Sequence, residues 1–66
     1  MAVARVTVIT ASSTQGFQAA FQEGITRATD TLRNITGAEI VSQKAKIENG
    51  KISEYRVQMS ITFILE

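Results

Sequence analysis

Apolar and polar positions alternate along the end of the chain: Tyr55, Val57, Met59, Ile61, Phe63 and Leu65 take every second place, with Arg56, Gln58, Ser60, Thr62 and Ile64 between them. A period of two sends successive side chains to opposite faces, so Lys51 to Leu65 predicts one long strand with an apolar face. Val3 to Thr10 is a second strand candidate. It is rich in β-branched residues, and Ala4, Val6 and Val8 alternate with Arg5 and Thr7, which predicts an apolar face of Ala4, Val6 and Val8 and an outer face with Arg5 and Thr7.

The period then changes. From Phe17 the apolar or small residues recur at Ala20, Phe21, Gly24, Ile25, Ala28 and Leu32, a three-four spacing that lays one stripe along a helix of about five turns. Gln18, Gln22, Thr26, Asp30 and Arg33 occupy the opposite side. Ser12 with Gln15 three residues on has the form of a capping box, and Ser13 is an alternative N-cap. Gly24 costs such a helix about 1 kcal/mol relative to alanine, which points to close packing against the sheet. Asn34–Gly37 supplies the helix stop, and Ala38–Glu48 reads as the second strand.

Asn49-Gly50 lies between two alternating runs, the signature of a tight type I′ hairpin. Counting back from Glu48 opposite Lys51 pairs Val41 with Gln58 and Glu39 with Ser60. The order is therefore β-α-β-β. A right-handed crossover makes the first two strands parallel, and the hairpin sets the third antiparallel to the second. The fold class is α+β: a three-stranded, antiparallel-type sheet of order 1-3-2 wrapped on one helix.

Length tightens this picture. The chain has 66 residues, which we read as a single domain over 1–66, and a chain of this size hides only about 60% of the surface its unfolded form exposes. A fifteen-residue strand spans roughly 50 Å, whereas a helix of some twenty residues reaches roughly 30 Å. One helix cannot cover that hairpin. Disulfides and thiol- or imidazole-bound metals are ruled out as staples, because there is no cysteine or histidine. Self-association is the remaining cover.

Charge and candidate chemistry narrow the function. Net charge is +1 with both signs mixed along the chain, so no electrostatic footprint for nucleic acid or an anionic membrane is present. The opening "MAVARVTVIT" has no charged leader before an apolar run, and no stretch nears the roughly 20 apolar residues of a span, so a cytoplasmic protein is expected. Without His or Cys no recognisable nucleophile-base or acid-base constellation exists, and no enzyme is expected. Glu23, Asp30, Glu39, Glu48 and Glu54 are possible oxygen ligands at a symmetry axis, but none is singled out and no metal site is assigned. The polar face of Arg56, Gln58, Ser60 and Thr62 is either a solvated outer surface or the wet lining of a cavity inside an assembly. Arg56 either pairs with Glu39 or Glu54, or holds an anion by a bidentate contact.

Several stretches in this order resemble the dodecin family over nearly the whole chain. They are Thr10-Ala11-Ser12-Ser13, Arg27-Ala28 followed by Thr31, Gly37-Ala38-Glu39-Ile40, and Tyr55-Arg56-Val57-Gln58 through Phe63-Ile64-Leu65. The resemblance implies a hollow shell of twelve identical subunits, sheets inside and helices outside, that binds or stores a small molecule of the flavin class (FMN, FAD or riboflavin). It implies ligand contacts at or beside Gly37, Arg56 and Gln58. Gly37 and Arg56 stand where flavin-binding members carry the ring-stacking tryptophan and a glutamine, so this chain is similar to the branch lacking both. The alternative function is a ligand-free or ion-binding structural assembly of the same fold.

Overall fold

The computed structural model describes residues 3–65, as β1 (Val3–Ser13), α1 (Phe17–Thr31), β2 (Ile35–Glu48) and β3 (Lys51–Leu65). The sheet order is β1-β3-β2, with β3 antiparallel to both neighbours, as the crossover and hairpin rules require. Asn49 (φ 53°) and Gly50 (φ 75°) both lie in the left-handed region, the pair of conformations that a type I′ turn demands and that Asn-Gly tolerates best. Glu48 faces Lys51 across that turn.

The core forms where α1 crosses the sheet. Val57, Met59 and Ile61 of β3 are fully buried beneath Ala20 and Ala28, with Ile9, Ala11, Phe17, Phe21, Ile25, Leu32 and Ile35 packed around them. Removing each of the three β3 side chains from water is worth roughly 1.5–3 kcal/mol. Phe17 meets the Tyr55 ring edge to face at 5.0 Å, closing one end of the core. The helix stripe is as the spacing predicts, with Ala20, Gly24 and Ala28 at its centre. Gly24 has a steric reason. A Cβ built there would stand 2.5 Å from Met59 Cε and 3.1 Å from Ala11 Cβ, so glycine lets helix and sheet approach.

Element ends differ from the periodicity at three places. β1 runs on through Ser13, because its ladder with β3 continues to Ser13 opposite Tyr55. The capping box at Ser12 and Gln15 therefore does not form; Ser13 Oγ accepts instead from the Gln15 N–H at 3.0 Å, a turn-type bond, and α1 opens behind Gly16 without a side-chain cap. The helix has 15 residues, about four turns rather than five. The chain reverses at Asn34 (φ 61°), and β2 begins at once at Ile35, three residues ahead of Ala38.

Face and register carry two further corrections. Thr7, Ile9 and Ala11 stand opposite Ile61, Met59 and Val57, so they share the helix side. Arg5, opposite Phe63, belongs to that side as well. Val6 and Val8 instead point away from the helix, 58% and 54% exposed, which reverses the expected inward set of β1. On β2, Val41 does not pair with Gln58: Ile40 faces Met59 and Ser42 faces Gln58, leaving Val41 as a bulged extra residue. A matching extra residue on β3 is Ser53, between Ile52 opposite Ile47 and Glu54 opposite Lys46; its hydroxyl donates to the Lys46 carbonyl at 3.2 Å. The two bulges lie on opposite strands and cancel, so Glu39 still faces Ser60. A third register shift falls between Ile35 and Gly37.

The molecule measures 52 × 19 × 13 Å. Its radius of gyration is 13.6 Å, against about 11 Å for a compact chain of this length. The hairpin end projects beyond the helix, and Ile47 and Ile52, opposed across the strands, are left exposed there.

Two substitutions test this core. Gly24→Ala should cost about 1–3 kcal/mol in chemical denaturation through overpacking, despite the gain in helix propensity. Combined with Met59→Val, it should cost about 1 kcal/mol less than the two changes summed, since the valine vacates the contested space; additive costs would place the clash elsewhere. Ile61→Asp should abolish the folded far-UV circular dichroism signal, because an unpaired buried charge costs several kcal/mol. A folded Ile61→Asp protein would show that the buried face of β3 is misassigned.

Candidate functional site

The sheet face turned away from α1 is built by the rungs of the ladder. From the chain-terminal end of β3 it carries Ala4 beside Ile64; Val6, Thr62 and Gly37; Val8, Ser60 and Glu39; Thr10, Gln58 and Ser42; and Ser12, Arg56 and Lys44. One end of the face is apolar. The other end is polar and cationic, and Thr10, Ser42, Lys44, Arg56 and Gln58 line a depression of about 140 Å³ there.

The paired bulges create that depression. Were β2 and β3 in simple register, Val41 and Gln43 would oppose Gln58 and Arg56. With Val41 bulged, Ser42 and Lys44 take those places and reach the polar face. The Ser42 hydroxyl donates to Gln58 Oε1 at 3.2 Å, which leaves the Gln58 amide N–H groups as donors. Arg56 Nε donates to Glu54 Oε1, so of the two partners read from the sequence Glu54 is the one engaged. This pair is partly solvated and worth at most about 1 kcal/mol.

Of the three ligand positions read from the sequence, Arg56 and Gln58 share the depression. Gly37 lies on the same face opposite Thr62, four residues along β3 from Gln58, which is about 13 Å at strand rise. A Cβ placed on Gly37 would meet nothing within 4 Å, so a side chain has room there. Thr10, Ser42 and Lys44 escaped the sequence reading. The signal was present in the adjacent apolar pair Ile40-Val41, which breaks the alternation of β2 where the phase shifts.

A stacked ring finds no aromatic platform on this face: Tyr55 and Phe63 of β3, and Phe17 and Phe21 of α1, all belong to the helix side. The donor set fits an anion better than it fits a ring. Among the described residues no three of His, Cys, Asp and Glu come together as a metal-ligand cluster. A second concavity, about 630 Å³, lies between α1 and the free edge of β1, with Ile9, Ala11, Ala28 and Leu32 in its wall and the exposed Glu23, Arg27 and Asp30 alongside. Its bounding strand edge carries unpaired backbone groups, a surface suited to another chain. No helix among the described residues is long and apolar enough to cross a membrane.

Comparison with known proteins fits this geometry. The Dodecin family model matches residues 3–66. Dodecin from Streptomyces davaonensis is 34% identical with a TM-score of 0.93, the match covering 98% of this chain and 96% of that one. The structure of dodecin from Streptomyces coelicolor gives 31% identity and a TM-score of 0.94 over 98% of this chain and 93% of that one. The calcium-chelating antigen calcium dodecin from Mycobacterium tuberculosis, described with a novel calcium-binding site, gives 28% identity and a TM-score of 0.84 over 97% and 91%. A search of curated proteins finds no match. Family model, strand order and helix placement agree over the described length, and the chain belongs to the dodecin family.

Proposed function

We propose that this single domain, residues 1–66, acts as a cytoplasmic, non-enzymatic binding or storage protein for a small molecule of the flavin class, as a homo-oligomer of twelve chains. The observation that carries this reading is the shortage of cover. A helix of 15 residues lies over one face of the sheet in a molecule 52 Å long, and Val6, Val8, Ile40, Val41, Ile47 and Ile52 stay exposed. Apolar side chains on both faces and at the hairpin end call for neighbouring copies, and copies arranged with helices outward would enclose the polar face. Gly37, Arg56 and Gln58 are then the ligand positions, on the enclosed side.

Gly37 and Arg56 weaken ring binding relative to a site with an aromatic platform and a neutral amide. That favours the second reading, a ligand-free or ion-binding assembly, on one specific observation: the face turned away from the helix offers no aromatic side chain and its arginine already engages Glu54.

Riboflavin fluorescence separates the readings. Titration with the purified protein should give saturable quenching. Gly37→Trp should tighten it about five- to a hundred-and-fiftyfold, the roughly 1–3 kcal/mol of one base-type stack. A colourless protein with no quenching at micromolar flavin, and no gain from Gly37→Trp, would sink flavin storage in favour of the ligand-free or ion-binding assembly.

A further inference from the structure

We infer that the groove between α1 and the free edge of β1 is the seat for the β2–β3 hairpin tip of a second copy, whose Ile47 and Ile52 lie against Ile9, Ala11, Ala28 and Leu32. This rests on the reading of the chain as a self-assembling shell, and it names a contact that holds the shell together. Three observations lead to it.

The first is that the hairpin tip is built as an apolar knob. Tyr55 shares a rung with Ala45 on the helix side, and simple alternation from there would send Ile52 to the opposite face. The extra residue at Ser53, whose hydroxyl donates to the Lys46 carbonyl at 3.2 Å, resets the phase. Ile52 therefore stands opposite Ile47 on the helix side, while Glu48 and Lys51 face away. α1 opens at Phe17, against the Tyr55 ring, and does not reach them, so Ile47 and Ile52 stay 58% and 47% exposed. A bulge that brings two isoleucines together outside the chain's own core adds nothing to that core.

The second is a concavity of matching character beside the second half of the helix. It measures about 630 Å³, Gly24 and Ala28 leave little side-chain bulk in it, and Ile9, Ala11 and Leu32 supply an apolar wall. A volume within the 300–1,000 Å³ range takes several side chains at once. The chain's own tip cannot fill it. Ile52 is five residues along β3 from Val57, the cross-strand partner of Ala11, roughly 15 Å at strand rise, and the continuous ladder keeps tip and groove apart.

The third is charge. Residues 46–53 carry Lys46 and Lys51 against Glu48, a net +1, and the groove's rim carries Glu23 and Asp30 against Arg27, a net −1. Glu23 already pairs with Arg27 at 3.6 Å, whereas neither Asp30 nor Lys51 makes an ion pair among the described residues. That leaves a carboxylate at the groove and an ammonium at the tip to set the orientation of two chains.

The sequence has no cysteine, so introduced thiols meet no background. Thr31→Cys at the groove rim and Lys51→Cys at the tip are combined in one chain and treated with a short bismaleimide. The control combines Lys51→Cys with Thr26→Cys, on the exposed side of α1. Expected are covalent multimers on a denaturing gel from the first pair, at least about tenfold more abundant than from the control, with the linked peptides identified by mass. Ile52→Asp should keep the parent's far-UV circular dichroism, because Ile52 lies outside its own chain's core, while raising the concentration needed for assembly about tenfold or more. Should that variant lose its circular dichroism, the cross-link decides. A parent that assembles without the link between positions 31 and 51, or a folded Ile52→Asp variant that assembles as readily as the parent, overturns this contact and leaves the shell standing. A parent that stays monomeric at micromolar concentration overturns both.

Discussion

The structure hangs on β3 being paired along both edges. Among the described residues its fifteen form the only strand with neighbours on both sides, and its alternate side chains supply Val57, Met59 and Ile61 to the core and Arg56, Gln58 and Ser60 to the opposite face. A central strand satisfies its backbone hydrogen bonds inside the chain and can be long; the helix laid across it cannot match that length, because a residue advances about 1.5 Å in a helix and about 3.3 Å in a strand. The close approach at Gly24 and Met59 fixes where the helix sits. From that one placement follow the small core, the projecting hairpin and the uncovered second face.

The uncovered surface is also what connects fold to function. A monomeric domain that exposes paired isoleucines at its hairpin end and valines across a sheet face is in debt for burial, and other copies of the same chain are the supply closest to hand. The proposed shell turns that need into an interior. In such a shell, residues held on the polar face by the paired bulges would face one another across a shared volume, and the cationic depression of each chain would contribute to a common electrostatic environment. The core and the proposed ligand face thus sit on opposite faces of the same strand, so substitutions in one are separable from those in the other.

Much of this was legible in the residues. The Asn49-Gly50 turn, the full extent of β3, the helix stripe and the sheet order follow from local rules, because turn conformation, alternation and crossover handedness leave few options. The face of β1 misled for a physical reason. Val6 and Val8 look like core, yet the register places Thr7, Ile9 and Ala11 under the helix, where the small side chain of Ala11 allows the close approach at Gly24. Apolar residues left exposed on a second sheet face are indistinguishable, in one sequence, from residues of the chain's own core. The candidate site was half legible: Arg56 and Gln58 lie on a strand of unambiguous phase, whereas Ser42 and Lys44 join them only through a bulge at Val41 that no glycine marks. The capping motif at Ser12 lost to the ladder, since continued pairing with Arg56 and Tyr55 offers the backbone more than one side-chain cap.

Native mass spectrometry of protein purified without added ligand tests the proposed shell most directly. A mass of twelve chains is the predicted result, and any excess over the polypeptide mass would weigh a retained ligand. A monomer or dimer at micromolar concentration would contradict it, since the exposed hairpin and the valine face would then need no further cover.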